Sequence, residues 1–164
     1  MVFGGLVAGT QAAALPVAVS KLPRQPPTVA SGMRSVPFGG ATDPRAPDQR
    51  RVLGGAAWAP RRYLQNVGDD AAAAPFRDWT KAGMTVRSGV TLTVRIAPRV
   101  QDKVRITWGG QEAVSLRFAP CSDGTKYNDY AGGFLTRVRA ICVPLAFTVG
   151  RNTATLVFGI GRRC

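Results

Sequence analysis

The C-terminal half of the chain alternates apolar and polar residues with a period of two, the pattern of strands that bury one face. Three such segments follow one another at residues 90–96, 104–108 and 114–118. Their inward-facing positions are Val90, Leu92, Val94, Ile96, Val104, Ile106, Trp108, Val114, Leu116 and Phe118. The positions between them hold only Thr, Arg and Ser, so we predict a sheet with a solvated outer face.

Three more strands are predicted at residues 134–138, 143–149 and 153–158. Glycines between the strands predict a hairpin-type turn at Gly109 and Gly110 and a tight turn at residues 150–152. Short strands at this spacing, without intervening helices, are typical of antiparallel sandwiches and small barrels. We therefore predict an all-β fold for residues 84–164, an antiparallel β-sandwich that is Ig-like or small and barrel-like.

The upstream half lacks this alternation and is predicted to form a disordered N-terminal tail. Residues 1–20 resemble the end of a truncated signal peptide, because they are uncharged and Ala12 and Ala14 fit the small-residue cleavage rule. A weak membrane segment or a disordered Ala-rich terminus is the alternative for the same residues. Residues 21–51 are rich in Pro and poor in aliphatic residues, which predicts a disordered linker.

Residues 52–83 are predicted to be irregular chain with one short helical turn. Asp69 or Asp70 can cap that turn at the start of a run of four alanines, which a proline ends. Phe76 and Trp79 follow, and we expect both rings to pack against the sheet because aromatic side chains are usually buried.

Three cysteines in a chain with an export-like N-terminus predict one disulfide and one remaining thiol. Cys121 follows one predicted strand, Cys142 opens another, and Cys164 is the last residue. The favoured pair is Cys121 with Cys142, which would staple the loop between them. The pairs Cys142–Cys164 and Cys121–Cys164 stay open, as do three reduced thiols in a cytoplasmic protein. No CxxC spacing is present, so no metal site is predicted.

The chain is strongly basic, with a formal net charge of +13, and such a charge attracts polyanions such as nucleic acid or anionic wall polymers. The arginines are dispersed, which favours a generally basic surface over a specific nucleic-acid site. The only adjacent pairs are Arg50-Arg51, Arg61-Arg62 and Arg162-Arg163. Histidine is absent, which excludes Ser-His-Asp catalysis and His-ligated zinc. No catalytic residue is predicted, and we do not expect an enzyme.

The polar and aromatic loop at residues 122–131 is the predicted binding surface, since binding residues commonly lie on loops that a rigid scaffold positions. Its candidate residues are Asp123, Tyr127, Asp129 and Tyr130. The two carboxylates also suit a glycosidase or a Ca²⁺ site, but the spacing lacks the EF-hand pattern. A polar loop with Asx-turns is the simpler interpretation, and no cofactor or metal is predicted.

Four short motifs lie in the C-terminal half: RFAPC (117–121), YAGGFL (130–135), CVPLAFTV (142–149) and GRRC (161–164). Together they resemble a recurrent pattern in uncharacterised exported or membrane-associated actinobacterial proteins. The resemblance covers residues 84–164 and implies a small C-terminal all-β domain after a short hydrophobic N-terminus and a linker. It implies no catalytic residue.

These patterns predict an exported, non-enzymatic β-sandwich, located at the cell envelope or outside the cell. Its expected partner is an envelope protein or polymer, and its N-terminal residues are a candidate membrane contact. The alternative is a basic module that binds a polyanion, either nucleic acid or an anionic wall polymer.

Overall fold

The structure is a computed structural model that describes residues 28–29, 49–66, 68–69, 75–119 and 126–164. These residues form fourteen strands and no α-helix. The strands are β1 (Thr28–Val29), β2 (Arg50–Val52), β3 (Ala57–Ala59), β4 (Tyr63–Leu64), β5 (Gly68–Asp69), β6 (Asp78–Lys81), β7 (Met84–Arg87), β8 (Leu92–Ile96), β9 (Val104–Ile106), β10 (Ser115–Phe118), β11 (Tyr127–Tyr130), β12 (Gly133–Thr136), β13 (Ile141–Val149) and β14 (Asn152–Ile160). Short 3-10 turns lie at Leu53–Gly55, Pro98–Val100 and Trp108–Gly110.

The strands form one six-stranded sheet and two four-stranded sheets. The six-stranded sheet has the order β1-β10-β8-β13-β14-β4, and the smaller sheets have the orders β11-β7-β3-β2 and β5-β6-β12-β9. Paired strands are antiparallel except for the short outer strands β1 and β4, which run parallel to β10 and β14. The predicted all-β, antiparallel β-sandwich is confirmed.

The core lies between the six-stranded sheet and the two smaller sheets. The predicted inward positions of β8 are fully buried, as their alternation requires. Aromatic contacts connect the layers: the ring centroids of Phe118 and Tyr130 lie 4.7 Å apart. Those of Phe134 and Phe158 lie 5.6 Å apart. Each contact joins the six-stranded sheet to a different small sheet, so both small sheets share one core.

The hairpin of β13 and β14 is the longest paired element, with nine residues in each strand. A two-residue turn at Gly150 and Arg151 joins the strands, and Gly150 has the positive φ of 57° that such a turn favours. The tight turn predicted at residues 150–152 is therefore confirmed. The turn sets a register in which Cys142 lies opposite Gly159.

The hairpin predicted around Gly109 and Gly110 is wrong in its pairing. The glycines do turn the chain, with φ values of 74° and 77°. However, β9 pairs with β12 and β10 pairs with β8, which leaves only a single bridge between Ile106 and Ala113. The connection from β9 to β10 spans residues 107–114, and the two strands belong to different sheets.

The prediction of irregular chain at residues 52–83 is also wrong. Four short strands, β3 to β6, lie there, and β2 ends there at Val52. They are two to four residues long, and β3 is buried on both faces, so none shows a readable alternation. The linker predicted at residues 21–51 contains β1, whose Thr28 lies opposite Arg117 of β10. The signal peptide at residues 1–20 and the helical turn at 71–74 lie outside the described residues.

Candidate functional site

A cavity of about 630 Å³ lies beside the outer edge of β14. Its lining comes from the start of β2, from β4, from the middle of β14 and from the C-terminal tail. The lining residues are Arg50, Arg62, Tyr63, Thr155, Leu156, Val157, Arg163 and Cys164. Arginine is the only charged residue type among these side chains.

Arg50 forms the fixed part of this positive surface. Its guanidinium carbon lies 4.3 Å from the centroid of the buried Phe158 ring, and its Nε donates to the Pro60 carbonyl at 3.2 Å. Burial lowers the pKa of the Arg50 guanidinium, and the positive charge of Arg62 lowers it further. An arginine nevertheless stays protonated in proteins, so a partly desolvated positive charge persists here.

The Nη2 atom of Arg50 is buried and has no hydrogen-bond partner among the described residues. A buried donor without a partner costs free energy, and an anionic ligand nearby would offset part of that cost. Within the described residues, no Asp or Glu side chain lines the cavity or forms an ion pair with Arg50, Arg62 or Arg163. The three guanidinium groups therefore have no acidic side chain as a partner in this part of the chain.

Arg62 is placed by strand β4, which attaches to the outer edge of β14. The amide of Gly159 donates to the Arg62 carbonyl at 2.6 Å, and the amide of Gly161 donates to the Leu64 carbonyl at 3.0 Å. These bonds fix the backbone on both sides of Tyr63, whose ring is 41% exposed. The exposed Arg62 side chain thus extends from a backbone anchored to the sheet.

Arg163 is placed by a disulfide. Cys142 of β13 is bonded to Cys164, with the two Cα atoms 5.9 Å apart, so the end of the tail is tied to the sheet. The tail folds back over Gly159, where a Cβ atom would collide with the Arg162 carbonyl and lie 3.1 Å from the Cys164 sulfur. Glycine at this position is what permits the close approach.

The favoured disulfide between Cys121 and Cys142 is wrong, because Cys142 is bonded to Cys164. That pair was one of the alternatives left open by the sequence. Its formation follows from the β13–β14 register, which brings the residues after β14 back beside Cys142. Cys121 lies outside the described residues. A disulfide therefore does not staple the loop between Cys121 and Cys142.

The three described binding candidates, Tyr127, Asp129 and Tyr130, lie away from the cavity, on strand β11 rather than in a loop. Tyr130 is 2% exposed and packs against Phe118 in the core. Asp129 is half-buried and accepts a hydrogen bond of 2.6 Å from the Thr85 hydroxyl on the neighbouring strand. Asp123 lies outside the described residues.

Tyr127 is half-buried between two neighbours. Its ring meets the Trp58 ring edge-on at a centroid distance of 4.9 Å, and the Lys126 ammonium lies 5.5 Å from its centroid. These contacts and those of Asp129 and Tyr130 hold β11 to the sheet. Hence the structure gives all three described candidates a packing role and brings none of them to the cavity.

A second cluster of arginines surrounds Phe76. The guanidinium carbons of Arg105 and Arg137 lie 4.4 and 4.5 Å from the centroid of its ring. Burial lowers the pKa of Arg105, and Arg137 lowers it further. Arg105 also donates to the carbonyl groups of Gln101 and Val104. The buried Phe76 does pack on the domain, as predicted, and Arg105 of its cluster has backbone carbonyl partners.

The residues that line the cavity were not singled out from the sequence as a site. A signal was nevertheless present, because each of the three adjacent arginine pairs supplies one residue to the lining: Arg50, Arg62 and Arg163. The pairs are far apart in sequence and come together only through the pairing of β4 with β14 and through the disulfide.

Within the described ranges, no three acidic or cysteine side chains lie close enough to hold a metal ion. None of the described segments is a helix with the length and apolar character of a membrane span. Comparison of the chain with family models, with curated proteins and with solved structures finds no match. The resemblance of the four C-terminal motifs to exported actinobacterial proteins therefore stays a prediction.

Proposed function

We propose that this protein is a non-enzymatic binding domain of the cell envelope that holds an anionic ligand in the cavity beside β14. The observation that supports this best is the convergence of Arg50, Arg62 and Arg163 on one cavity whose described lining includes no acidic side chain. Arginine is well suited to carboxylate and phosphate ligands, because its planar guanidinium donates two parallel hydrogen bonds.

The chemistry of the lining favours binding over catalysis. Its side chains are Arg, Tyr, Thr, Leu and Val, together with a cysteine that is held in a disulfide. A general base near neutral pH is normally a histidine or a tuned carboxylate, and neither lines the cavity. A disulfide-bonded cysteine has no thiolate to act as a nucleophile. This composition suits a site that binds a ligand and releases it unchanged.

The disulfide supports a location outside the cytoplasm, since disulfides persist in oxidising compartments and are rare where thiols are kept reduced. It also closes the cavity on one side, so an oxidising compartment would favour the binding-competent form. The envelope location accords with the export-like sequence of residues 1–20.

A titration with fluorescein-labelled oligoglutamate, read by anisotropy, tests this proposal. The double variant Arg62→Ala/Arg163→Ala should bind at least tenfold more weakly than the wild type, since charge-assisted contacts contribute about 1.5–3 kcal/mol each. The matched control is Arg99→Ala/Arg117→Ala, which removes two exposed arginines outside the cavity and should bind like the wild type. Equal losses in both double variants would contradict a specific site.

The same titration distinguishes the alternative polyanion module. A single-stranded oligonucleotide of equal charge would then bind as tightly as oligoglutamate. Its affinity would also fall steeply with salt, because binding releases counterions. In that case the control pair of arginines would contribute as much as the cavity pair, since the whole basic surface would be in use.

A further inference from the structure

Among the described strands, none covers the outer edge of β14 beside the arginine cavity. In an antiparallel pair, alternate residues direct their N–H and C=O groups toward the partner strand, and the residues between direct them away. The Gly159 amide points away from β13 and donates to the Arg62 carbonyl. Because alternate residues of a strand share this orientation, the N–H and C=O groups of Thr153, Thr155 and Val157 also point away from β13. They lie on the side that faces the cavity.

Strand β4 covers only a short part of this edge. Its two residues, Tyr63 and Leu64, pair with Gly159 and Ile160. The residues before Arg62 do not continue this pairing along β14. No other described strand pairs with residues 152–158 on that side. The uncovered stretch from Thr153 to Val157 is about 16 Å long, enough for an added strand of about five residues.

The open edge also lacks the usual protection against pairing. Natural edge strands commonly contain lysine, proline or a bulge that prevents another strand from adding. Strand β14 has no charged residue and no proline, and its pairing with β13 is regular over all nine residues. Its exposed side chains include the β-branched Thr153, Thr155 and Val157, which favour extended neighbours.

We infer that an acidic peptide segment of a protein partner binds in extended form by adding a strand to β14, with its carboxylates directed at Arg50, Arg62 and Arg163. This inference rests on the proposed function and specifies its ligand. Strand addition gives affinity through backbone hydrogen bonds, while side-chain contacts give specificity. Nucleic acid and polyol-phosphate polymers lack the peptide N–H and C=O groups that this edge would pair with.

A second copy of this chain fits the edge less well. Pairing of two β14 edges would bring two sets of three cavity arginines together, and like charges oppose such an arrangement. An acidic segment instead places negative charge where the cavity is positive. The complementarity of charge, together with the open backbone edge, selects the acidic partner.

Two peptides of equal charge separate strand addition from simple anion binding. The first alternates Glu and Thr, and the second is the same peptide with alternate backbone amides N-methylated. We expect the unmodified peptide to bind roughly tenfold more tightly, since about two backbone hydrogen bonds are lost on methylation. Equal affinity would overturn strand addition and leave the anion site intact, whereas binding of neither peptide would overturn both proposals.

Amide hydrogen exchange locates the added strand. The amides of Thr153, Thr155 and Val157 should become protected when the unmodified peptide binds. Those of Ala154 and Leu156 already bond to β13 and serve as internal controls. Protection of the three outward amides in the free full-length protein would show that another part of this chain covers the edge, and would overturn the inference.

A proline substitution gives an independent test. The amide of Thr155 points away from β13, so Thr155→Pro removes an outward donor at an edge, where proline is tolerated. Thr155→Pro should lower the affinity for the unmodified peptide toward that for the methylated one. Wild-type affinity in Thr155→Pro would contradict pairing at this edge. If this variant does not fold, the hydrogen-exchange experiment on the wild type is the deciding test.

Discussion

The guanidinium carbon of Arg50 lies 4.3 Å from the centroid of the Phe158 ring. Phe158 is fully buried and packs on Phe134 and Phe147, so the ring that supports the arginine is part of the core. A cation held over an aromatic face needs no reorganisation when a ligand arrives. The cavity therefore contains at least one charge that is positioned before binding.

We expect Phe158→Leu to weaken anion binding as well as stability. Loss of the ring removes the cation–π contact, so affinity for oligoglutamate should fall several-fold, and the unfolding free energy should fall by about 1–2 kcal/mol. Phe147→Leu is the matched control, because Phe147 is equally buried and the described guanidinium groups stack on Phe158 and Phe76 instead. The same loss of affinity in both variants would mean that the effect comes from general destabilisation.

We expect two of the three cysteines to resist alkylation in the unreduced protein, with Cys121 as the reactive one. Mass spectrometry of the labelled peptides would identify the thiols, and a disulfide-linked peptide that joins Cys121 to Cys142 would contradict the pairing found here.

Loss of the Cys142–Cys164 bond should destabilise the domain. The bond closes a loop with a sequence separation of 22, for which the chain-entropy model gives about 3 kcal/mol. Urea denaturation of Cys164→Ser should show a loss of that order, and Cys121→Ser should unfold like the wild type. A larger loss of stability in Cys121→Ser than in Cys164→Ser would mean that Cys121, and not Cys164, forms the structural disulfide.

A methyl group at Gly159 should displace the C-terminal tail. The added Cβ atom in Gly159→Ala would collide with the Arg162 backbone, which cannot rotate aside as a side chain can. We expect a loss of about 1–3 kcal/mol and weaker binding of oligoglutamate, because Arg163 moves with the tail. Gly83→Ala is the control, since nothing lies within 4 Å of its Cβ position. Wild-type affinity of Gly159→Ala for oligoglutamate would mean that the C-terminal tail does not contribute to the binding site.

Trp108 should be a large single contributor to stability. It is fully buried, and its Nε1 donates to the Ala82 carbonyl at 2.7 Å. Trp108→Phe leaves that carbonyl without its partner and leaves space in the core, which should cost about 2–4 kcal/mol. Thermal unfolding of this variant checks the value, and a loss below about 1 kcal/mol would contradict a buried, bonded indole.

The sequence predicts the strands that bury one face and are long enough to show it. Residues 90–96 contain β8, and the pattern at residues 143–149 and 153–158 falls within β13 and β14. Strand β11 was missed because its sequence, YNDY, contains residues that are rare in strands, although Asn128 is buried and donates to the Ser88 hydroxyl at 2.8 Å.

The site was harder to predict than the fold. Cys164 reaches Cys142 because the two-residue turn sets Gly159 opposite Cys142 and because Gly159 has no side chain. Local pattern alone does not reveal that the tail returns over the hairpin. The convergence of Arg50 and Arg62 likewise depends on long-range pairing, which arginine spacing does not encode.

The most direct test of the arginine site follows the side-chain Nε–Hε signals of the arginines by nuclear magnetic resonance during a titration with oligoglutamate. We expect the signals of Arg50, Arg62 and Arg163 to shift together and saturate with one binding constant, while those of Arg99 and Arg117 stay in place. Uniform small shifts across all arginines, or shifts confined to the Arg105 and Arg137 pair around Phe76, would contradict it.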